Sequence, residues 1–465
     1  MSKDFAATII KTLRQQGFQA YLVGGCVRDL LLKREPADYD IATSATPTQV
    51  MEIFPETYAV GAQFGVVLVP LPEKQRTHEA DNAQPKSRAV EVATFRSDHG
   101  YSDGRRPDEV RFTTDPREDV ARRDFTINCM MLDPGVGEIT AGEVLDFVGG
   151  RKDLEAGIIR AIGDPAQRFA EDKLRLLRAV RFAARFEYEI EPATLAAIQR
   201  LAPEIQVVSR ERVRDELTRM LTEGHARRAF LLLDESGLLQ EVLPEISKMK
   251  GVEQPPEFHP EGDVFVHTLL LLENLPQPCP PTLAWGALLH DVGKPATFRV
   301  APDRIRFDDH VDVGVKIAEE ICERLRFSNH DATQIIALVN NHMRFGHATR
   351  MNQSTLKKFL RMPAFDQHLA LHRADSLASH GNLSTYNFIR EKLAEIPPEK
   401  IRPVALVTGD DLIAAGYTPG PKFREILEAV EDAQLEGRLS SHEAALDFVK
   451  RAFPLSGKIG IPEEG

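Results

Sequence analysis

The sequence predicts an α+β protein, with a sheet-containing head near the N-terminus and an all-helical remainder. Short runs rich in Val, Ile and Phe cluster at residues 21–23, 41–42, 64–70 and 90–96, where strands are expected. Beyond Gly163-Asp164-Pro165 these runs nearly vanish, and apolar residues recur at three- and four-residue steps instead. A length of 465 residues exceeds what one core organises and implies two to four domains.

Composition is that of a soluble globular chain, 42% hydrophobic and 28% charged. A net charge of −12 argues against coating nucleic acid by bulk charge, so any RNA contact must sit on a local basic stripe. Cys26, Cys129, Cys279 and Cys322 are scattered without a CxxC pair, so neither a zinc site nor a disulfide framework is expected. No apolar run reaches membrane-spanning length, and the amphipathic N-terminal stretch does not read as a signal peptide. A cytoplasmic protein with no membrane partner is expected.

Taken in order, Ile9, Ile10 and Leu13 lie at helical spacing, and Gly17 closes that helix. An apolar run then ends in Gly24-Gly25, with Arg28 and Asp29 soon after. A short apolar helix follows, and Asp38-Tyr39-Asp40 opens Ile41-Ala42. Residues two apart on a strand share a face, which places the Asp38 and Asp40 carboxylates side by side. Two such groups repel unless a cation lies between them, and Mg²⁺ suits oxygen ligands. A Gly-Gly turn lets backbone N–H groups approach a phosphate, and an arginine one turn on can clamp its oxygens. Together these features point to metal-dependent phosphoryl transfer.

Thr46 and Pro47 next open a helix carrying Val50, Met51 and Phe54, and residues 64–70 read as a buried strand. Residues 73–88 are polar and read as an exposed loop. On the strand at 90–96, Glu91 shares a face with Ala93 and Phe95. It is either a third carboxylate of the site or a surface residue on an edge strand. Residues 97–111, Gly-rich and charged with both signs, read as a mobile loop. Within RRDFTIN, Arg122 and Arg123 offer planar forks for phosphate oxygens, and Asn128 can meet a ribose hydroxyl or position Asp124. Adjacent arginines on a solvated helix face are the plain alternative. Residues 145–154 close the head, with a boundary near 150 and one more short strand at 158–162.

From Arg168 to Phe182 a single helix is expected in which apolar and basic positions interleave, including Leu174, Leu177, Arg178 and Arg181. Asp172 and Arg175, three apart, share one helix face and can hold each other. The pair offers an acceptor and bidentate donors, enough to read the Watson–Crick edge of a base. A salt-bridged amphipathic helix is the alternative. Further on, His267, His290-Asp291 and Asp375 combine imidazoles and carboxylates suited to Mn, Ni, Co or Fe, or to Mg²⁺ with open water positions. A water bound there would be acidified for attack on a phosphate ester. His310 and His342 lie where ligands of a second metal can come from, while His259 and Lys294 are substrate contacts at most. From about 381 the chain reads as helices, with a cap at Thr408 and a Pro419-Gly420-Pro421 turn.

The stretch from Gly24-Gly25 to Asp38 and Asp40 resembles the opening motif of the nucleotidyltransferase superfamily. More narrowly, it resembles the class II enzymes that add CCA to tRNA, with bacterial poly(A) polymerases as close relatives. RRDFTIN resembles their second signature, Glu171-Asp172 with Arg175 their EDxxR motif, and residues 209–217 their neck pattern. The series His267, His290-Asp291, Asp375 resembles HD-domain phosphohydrolases, and GDDL…PGPKF…LEG the tail of longer bacterial members. The resemblance implies a mixed-sheet nucleotidyltransferase head at 1–150 and a helical neck at 151–225. A helical body linker at 226–258, an HD region at 259–380 and a helical tail at 381–465 would follow.

The resemblance also implies template-independent, two-metal-type transfer of CMP and AMP from CTP and ATP to a tRNA 3′ end. Asp38 and Asp40 would hold Mg²⁺, and Gly25, Arg28 and Arg123 the triphosphate. Asp172 with Arg175 would choose the base, with Arg178 and Arg181 supporting the triphosphate or orienting that pair. The loop at 97–111 would help to admit ATP after CTP. A divalent Ni, Mn or Co ion held by His267, His290, Asp291 and Asp375 would serve a phosphohydrolase, or that region would only position tRNA. Other outcomes stay open: CC-only or A-only addition, poly(A) synthesis, or an HD phosphohydrolase with a vestigial head.

Overall fold

The early strand signals assemble into one six-stranded sheet. The computed structural model describes residues 2–59, 62–71, 89–101, 104, 107–134, 142–257 and 262–455. Its contacts divide the chain into two units, Met1–Lys248 with Glu323–Phe327, and Met249–Cys322 with Ser328–Gly465. The expected loop at 73–88, His259 and the last ten residues lie outside the described residues.

In the first unit, α1 (Ser2–Gln15) buries Ile9, Ile10 and Leu13 and is followed by Gly17 at φ 86°, which glycine adopts without a Cβ clash. Then come β1 (Ala20–Val23), α2 (Gly25–Leu31), β2 (Asp40–Thr43), α3 (Pro47–Ile53), β3 (Val66–Pro70) and β4 (Ala89–Thr94). Thr46 and Gln49 close α3 with a reciprocal capping box. With β7 (Met131–Asp133) and β8 (Glu143–Leu145), the strand order is β3-β4-β2-β1-β7-β8. Only β2 and β4 run parallel, so the sheet is mixed. Its packing centre includes Phe95, Val120 and Met131; a fully buried Phe stabilises by about 1.5–3 kcal/mol. The antiparallel register pairs Val23 with Asp40, which brings the Gly24 turn and Asp40 to the same end of the sheet.

Residues 97–111, expected as a loop, instead contribute most of a hairpin, β5 (Arg96–His99) paired with β6 (Glu109–Phe112). Its strands carry few apolar residues, so alternation gave no strand signal. Ion pairs along each strand, Arg96–Asp98 at 3.0 Å and Arg111–Glu109 at 2.8 Å, accompany the backbone ladder. After α4 (Pro116–Ala121) come α5 (Gly150–Ala156), β9 (Ile158–Ile159), α6 (Pro165–Glu171) and α7 (Leu174–Phe186). The two-residue β10 (Glu189–Ile190) pairs parallel with β9, too short to announce itself in the sequence. Helices α8 (Pro192–Leu201), α9 (Arg210–Thr222), α10 (Ala226–Glu235), α11 (Leu238–Val242) and α12 (Pro244–Ser247) complete this stretch.

The second unit begins its helices with α13 (Val264–Glu273), α14 (Pro281–Leu289) and α15 (Lys294–Thr297). A second short hairpin, β11 (Arg299–Val300) with β12 (Ile305–Arg306), precedes α16 (His310–Arg324), α17 (Asn329–Asn341), α18 (Gln353–Leu360) and α19 (Phe365–Ala378). Helix α14 is apolar all round and buries Trp285 completely, as a central helix must. Gly293 is a close-approach position: a Cβ there would lie 2.1 Å from the His310 carbonyl oxygen. The segment after His290-Asp291 therefore runs directly against the start of α16. The tail comprises α20 (Ser384–Glu395), α21 (Pro398–Ile401), α22 (Gly409–Ala414), α23 (Pro421–Leu435) and α24 (His442–Ala452), with Thr408 capping α22 through Asp411. Among the described residues no helix is long and apolar enough to cross a membrane.

Candidate active site and candidate metal centre

Three features converge where β1 hands over to α2. Gly24 sits at φ 77°, and a Cβ placed on it would lie 3.7 Å from Arg123 Nη1 and 3.9 Å from Asp40 Oδ2. The glycine turn, an arginine and a carboxylate thus share one small volume. Asp40 heads β2, while Asp38 lies exposed in the loop before it, so the two are not both strand residues as expected. One step back along the β2–β4 register from Ile41 and Val92, Glu91 stands level with Asp40. Cys26, buried beneath, is pushed up to about 12 by burial and then by Asp40, which leaves it a neutral thiol and no nucleophile.

Arg123 is aimed by Asp119, a buried carboxylate that takes Arg122 on one oxygen and Arg123 on the other, Nη2 at 2.6 and 2.9 Å. Burial pushes the Asp119 carboxyl up, but Arg123 and Arg122 outweigh it and hold it below its usual range. Arg28 is also buried. It donates Nε to Asp29 at 2.9 Å and Nη1 to Asn128, and its guanidinium lies 4.5 Å from the Phe186 ring centre.

A cavity of about 590 Å³ opens from this point, walled by Gly24, Gly25 and two helices of the helical stretch, α7 and α9. Nine arginines and three carboxylates line it: Asp124, Asp172 and Glu223 are the acids, so its charge is strongly positive in a chain of net −12. Each inner arginine rests on a carboxylate. Arg178 holds Asp124 through two bonds of 2.9 and 2.7 Å, Arg175 holds Glu171 at 2.6 Å, and Arg181 holds the buried Glu216 at 2.6 Å. Such fixed pairs keep guanidiniums aligned without collapse, which suits a polyanion.

The second unit gathers its histidines and aspartates just as closely. His267, His290 and Asp375 form one set, and Asp291, His310 and His342 another, with ligand atoms in each within 4.8 Å of one another. Asp291 joins them: Oδ2 is 3.1 Å from His290 Nε2, and Oδ1 is 3.7 Å from both His310 and His342 Nε2. The Nδ1 atoms of His290, His310 and His342 lie 2.8, 2.9 and 2.6 Å from the carbonyls of Ala287, Phe307 and Val339. A carbonyl only accepts, so each Nδ1 carries the hydrogen and each Nε2 presents a lone pair. His310 and His342 then face each other Nε2 to Nε2 at 3.4 Å, lone pair against lone pair. Burial also pulls His342 down to about 4, keeping it neutral. Convergent lone pairs of this kind fit a divalent cation, with carbonyl-anchored rings as ligands. Lys294 Nζ lies 2.7 Å from Asp291 Oδ2, and the cavity above, about 460 Å³, is lined by Arg304 and Arg306 of the second hairpin.

Comparison with known proteins agrees with this layout. Three family descriptions match in order: "Poly A polymerase head domain" at 20–160, "Probable RNA and SrmB- binding site of polymerase A" at 187–250, and "HD domain" at 264–379. A CCA-adding enzyme of Enterococcus faecalis is 44% identical over 216 residues, 46% of this chain and 48% of that enzyme, so this match spans about half of the relative's length. A CCA-adding enzyme of a Geobacillus strain is 31% identical over 442 residues, 94% of each chain. The chain belongs to the CCA-adding enzyme family. The solved Bacillus stearothermophilus CCA-adding enzyme in complex with CTP superposes with a TM-score of 0.71 at 28% identity, covering 96% of this chain and 97% of that one.

In this CCA-adding enzyme family member the structure departs from two expectations drawn from helical spacing. Asp172 and Arg175 do not hold each other. Asp172 is extended (φ −145°), ends α6, caps Leu174 N at 3.0 Å and pairs with Arg212 at 2.8 Å, while Arg175 turns to Glu171. The expected single helix is thus two, because Asp172 stabilises the start of α7 from outside it. Asn128 does not position Asp124 either; Arg178 and the Phe125 N–H do. Ser209 stands at the start of α9 without a side-chain capping bond. The anchoring carboxylates given no role in advance are Asp119 and Glu216, and Glu171 was named only as part of its motif. Glu216 did leave a signal, a charged side chain within the buried stripe Val213, Leu217, Met220 and Leu221.

Proposed function

We propose that this chain adds CCA to tRNA 3′ ends, taking CMP from CTP and AMP from ATP without a nucleic-acid template. The observation that carries the reading is the arginine-lined cavity opening on the turn where Gly24, Arg123 and Asp40 converge. Asp38 and Asp40 would hold Mg²⁺, a hard cation that fits carboxylate oxygens and, when bound, would acidify the attacking 3′-hydroxyl and offset charge on the leaving pyrophosphate. Gly25, Arg28 and Arg123 bind the triphosphate, supported by Arg178 and Arg181.

Base choice falls to Asp172 and Arg175 as separately anchored groups. Arg175 commits both Nη1 hydrogens, to Arg168 O at 2.9 Å and Glu171 at 2.6 Å, and one Nη2 hydrogen to Arg122 O at 3.0 Å. Of its five donors two remain. Asp172, fastened by Arg212, keeps acceptor capacity. Two donors and one acceptor complement cytosine, which offers two acceptors and an amino donor on its pairing edge. Adenine, with one acceptor and one amino donor, uses part of the same set.

A second activity, divalent-metal phosphohydrolysis, is favoured by the facing imidazole lone pairs around Asp291. His267, His290, Asp291 and Asp375 would hold the first ion, and His310 and His342 with Asp291 a second, from Ni, Mn or Co.

The test is incorporation by the purified full chain with Mg²⁺ on tRNAs ending at the discriminator base, at C and at CC. Each is given CTP, ATP or both. Addition that completes CCA and stops supports the reading. Addition of only CC or only A, long A tails, or none at all would overturn it in favour of a partial enzyme, a poly(A) polymerase or the second site.

A further inference from the structure

The arginines of the cavity fall into two classes that the family motifs do not separate. The seven inner ones, Arg28, Arg122, Arg123, Arg175, Arg178, Arg181 and Arg212, each make at least one contact of 2.6–2.9 Å to a carboxylate. Two others, Arg185 at the end of α7 and Arg219 on α9, line the same cavity differently. Arg219 Nη1 is 3.5 Å from Glu216 Oε1, and Arg185 Nη1 is 3.5 Å from Glu223 Oε1. Both distances exceed a normal N–H···O bond of 2.7–3.2 Å. Glu216 is already bonded to Arg181 at 2.6 Å, while Glu223 stands 3.5 Å from Arg181 as well.

The two outer guanidiniums therefore reach their carboxylates only at 3.5 Å, and they are 38% and 55% exposed, more than the inner ones. Arg185 also lies 5.4 Å from the centre of the Phe186 ring, beside which Arg28 lies at 4.5 Å. Two guanidiniums with spare planar donors on the wall of one cavity, one beside an aromatic ring and each near a glutamate that Arg181 also approaches, suit a phosphate group.

We propose that Arg185 and Arg219 form an outer phosphate subsite, distinct from the inner triphosphate pocket. Its ligand is a phosphate that nucleotidyl transfer brings beside the triphosphate, either a phosphodiester near the tRNA 3′ end or the departing pyrophosphate. The proposal rests on the nucleotidyl-transfer reading above. It concerns binding, so it can be measured without turnover.

The experiment uses the full chain carrying R185Q and R219Q together. Three quantities are read: tRNA affinity across a salt series, the affinity for inorganic pyrophosphate by calorimetry, and KM for CTP. A tRNA source weakens tRNA binding about tenfold and lowers the slope of log K against log salt by about 0.7, the value for one single-strand phosphate. A pyrophosphate source weakens pyrophosphate about tenfold and leaves that slope unchanged. In both cases KM for CTP stays within about twofold, and R185K with R219K restores the lost binding while preserving charge. Unchanged tRNA and pyrophosphate affinities would overturn the subsite, as would a CTP KM that rises in step. A melting curve shared with the parent chain shows that the variant folds. A parent chain that binds tRNA but incorporates no CMP would sink the nucleotidyl-transfer reading while leaving the binding arms readable.

Discussion

The arginine cavity and the histidine cluster are opposite solutions to one problem, holding several polar groups close together out of water. In the cavity, like charges are separated by interposed carboxylates, so Arg178, Arg181 and Arg175 are each satisfied before any ligand arrives. In the cluster, Nε2 lone pairs and carboxylates point at one another across 3–4 Å with carbonyls fixing the rings from behind. The first arrangement is complete in itself and offers leftover donors, which is what an anion needs. The second turns acceptors toward one another, an arrangement that a divalent cation would fit. One chain of net charge −12 can therefore present both, because what a ligand meets is set locally by pairing and not by the total.

The sharpest way to break this comparison is to disable the two regions separately. Asp40→Ala should lower nucleotide incorporation by about three orders of magnitude or more, the scale of several kcal/mol of lost charge stabilisation, and spare phosphate-ester hydrolysis. Asp291→Ala should do the reverse. If either substitution removed both activities in soluble, folded protein, the two sites would not be independent.

Stability should separate the regions next. Glu216→Ala leaves Arg181 buried without its main partner and should cost about 3–5 kcal/mol in denaturant unfolding. In metal-stripped protein, His310→Ala should cost less than about 1 kcal/mol, because it relieves a lone-pair contact. Equal losses would show that the histidines are ordinary core polar groups.

A divalent ion should sharpen the contrast. Mn²⁺ or Ni²⁺ at 100 times its dissociation constant should stabilise the chain by about 2.7 kcal/mol, reversed by chelator and lost in His290→Ala. No thermal shift with any divalent ion would remove the metal centre. Arg212→Ala, which frees Asp172 without touching Arg175, should lower discrimination among nucleotides about tenfold, measured as the ratio of kcat/KM values, while the triphosphate contribution persists.

The smallest effect concerns pH. Asp119 is held below its ordinary carboxyl value of 3.8 by Arg123 and Arg122, so its pairing stabilises the head fully above that value. The contribution is lost as pH falls through the lower folded value. Asp119→Asn should therefore flatten the acid limb of head unfolding, and an unaltered limb would show that the pair is energetically idle.

The motifs on which the proposed sites rest were legible because they are local. Gly24-Gly25, Asp38 with Asp40, Arg122-Arg123 and His290-Asp291 each place the proposed ligand-binding types within a few residues, although Asp38 falls in the loop before β2. Spacing alone served for α1 but failed at the cavity. The i, i+3 rule put Asp172 against Arg175, but the rule presumes an unbroken helix and Asp172 is a cap. The hairpin of β5 and β6 escaped notice because hydrophobic alternation reports burial, and its strands bury little.

By itself the sequence determined the α+β class, the order of head and HD motifs, and the residue types proposed for each site. Only the tertiary structure decided which carboxylate faces which arginine. Arg212 meets Asp172 across 40 residues, Arg181 meets Glu216 across 35, and Arg178 meets Asp124 across 54. The reason is physical. Pairing energies between charges depend on distance and desolvation, which the fold sets. Periodicity reports only which face a residue occupies.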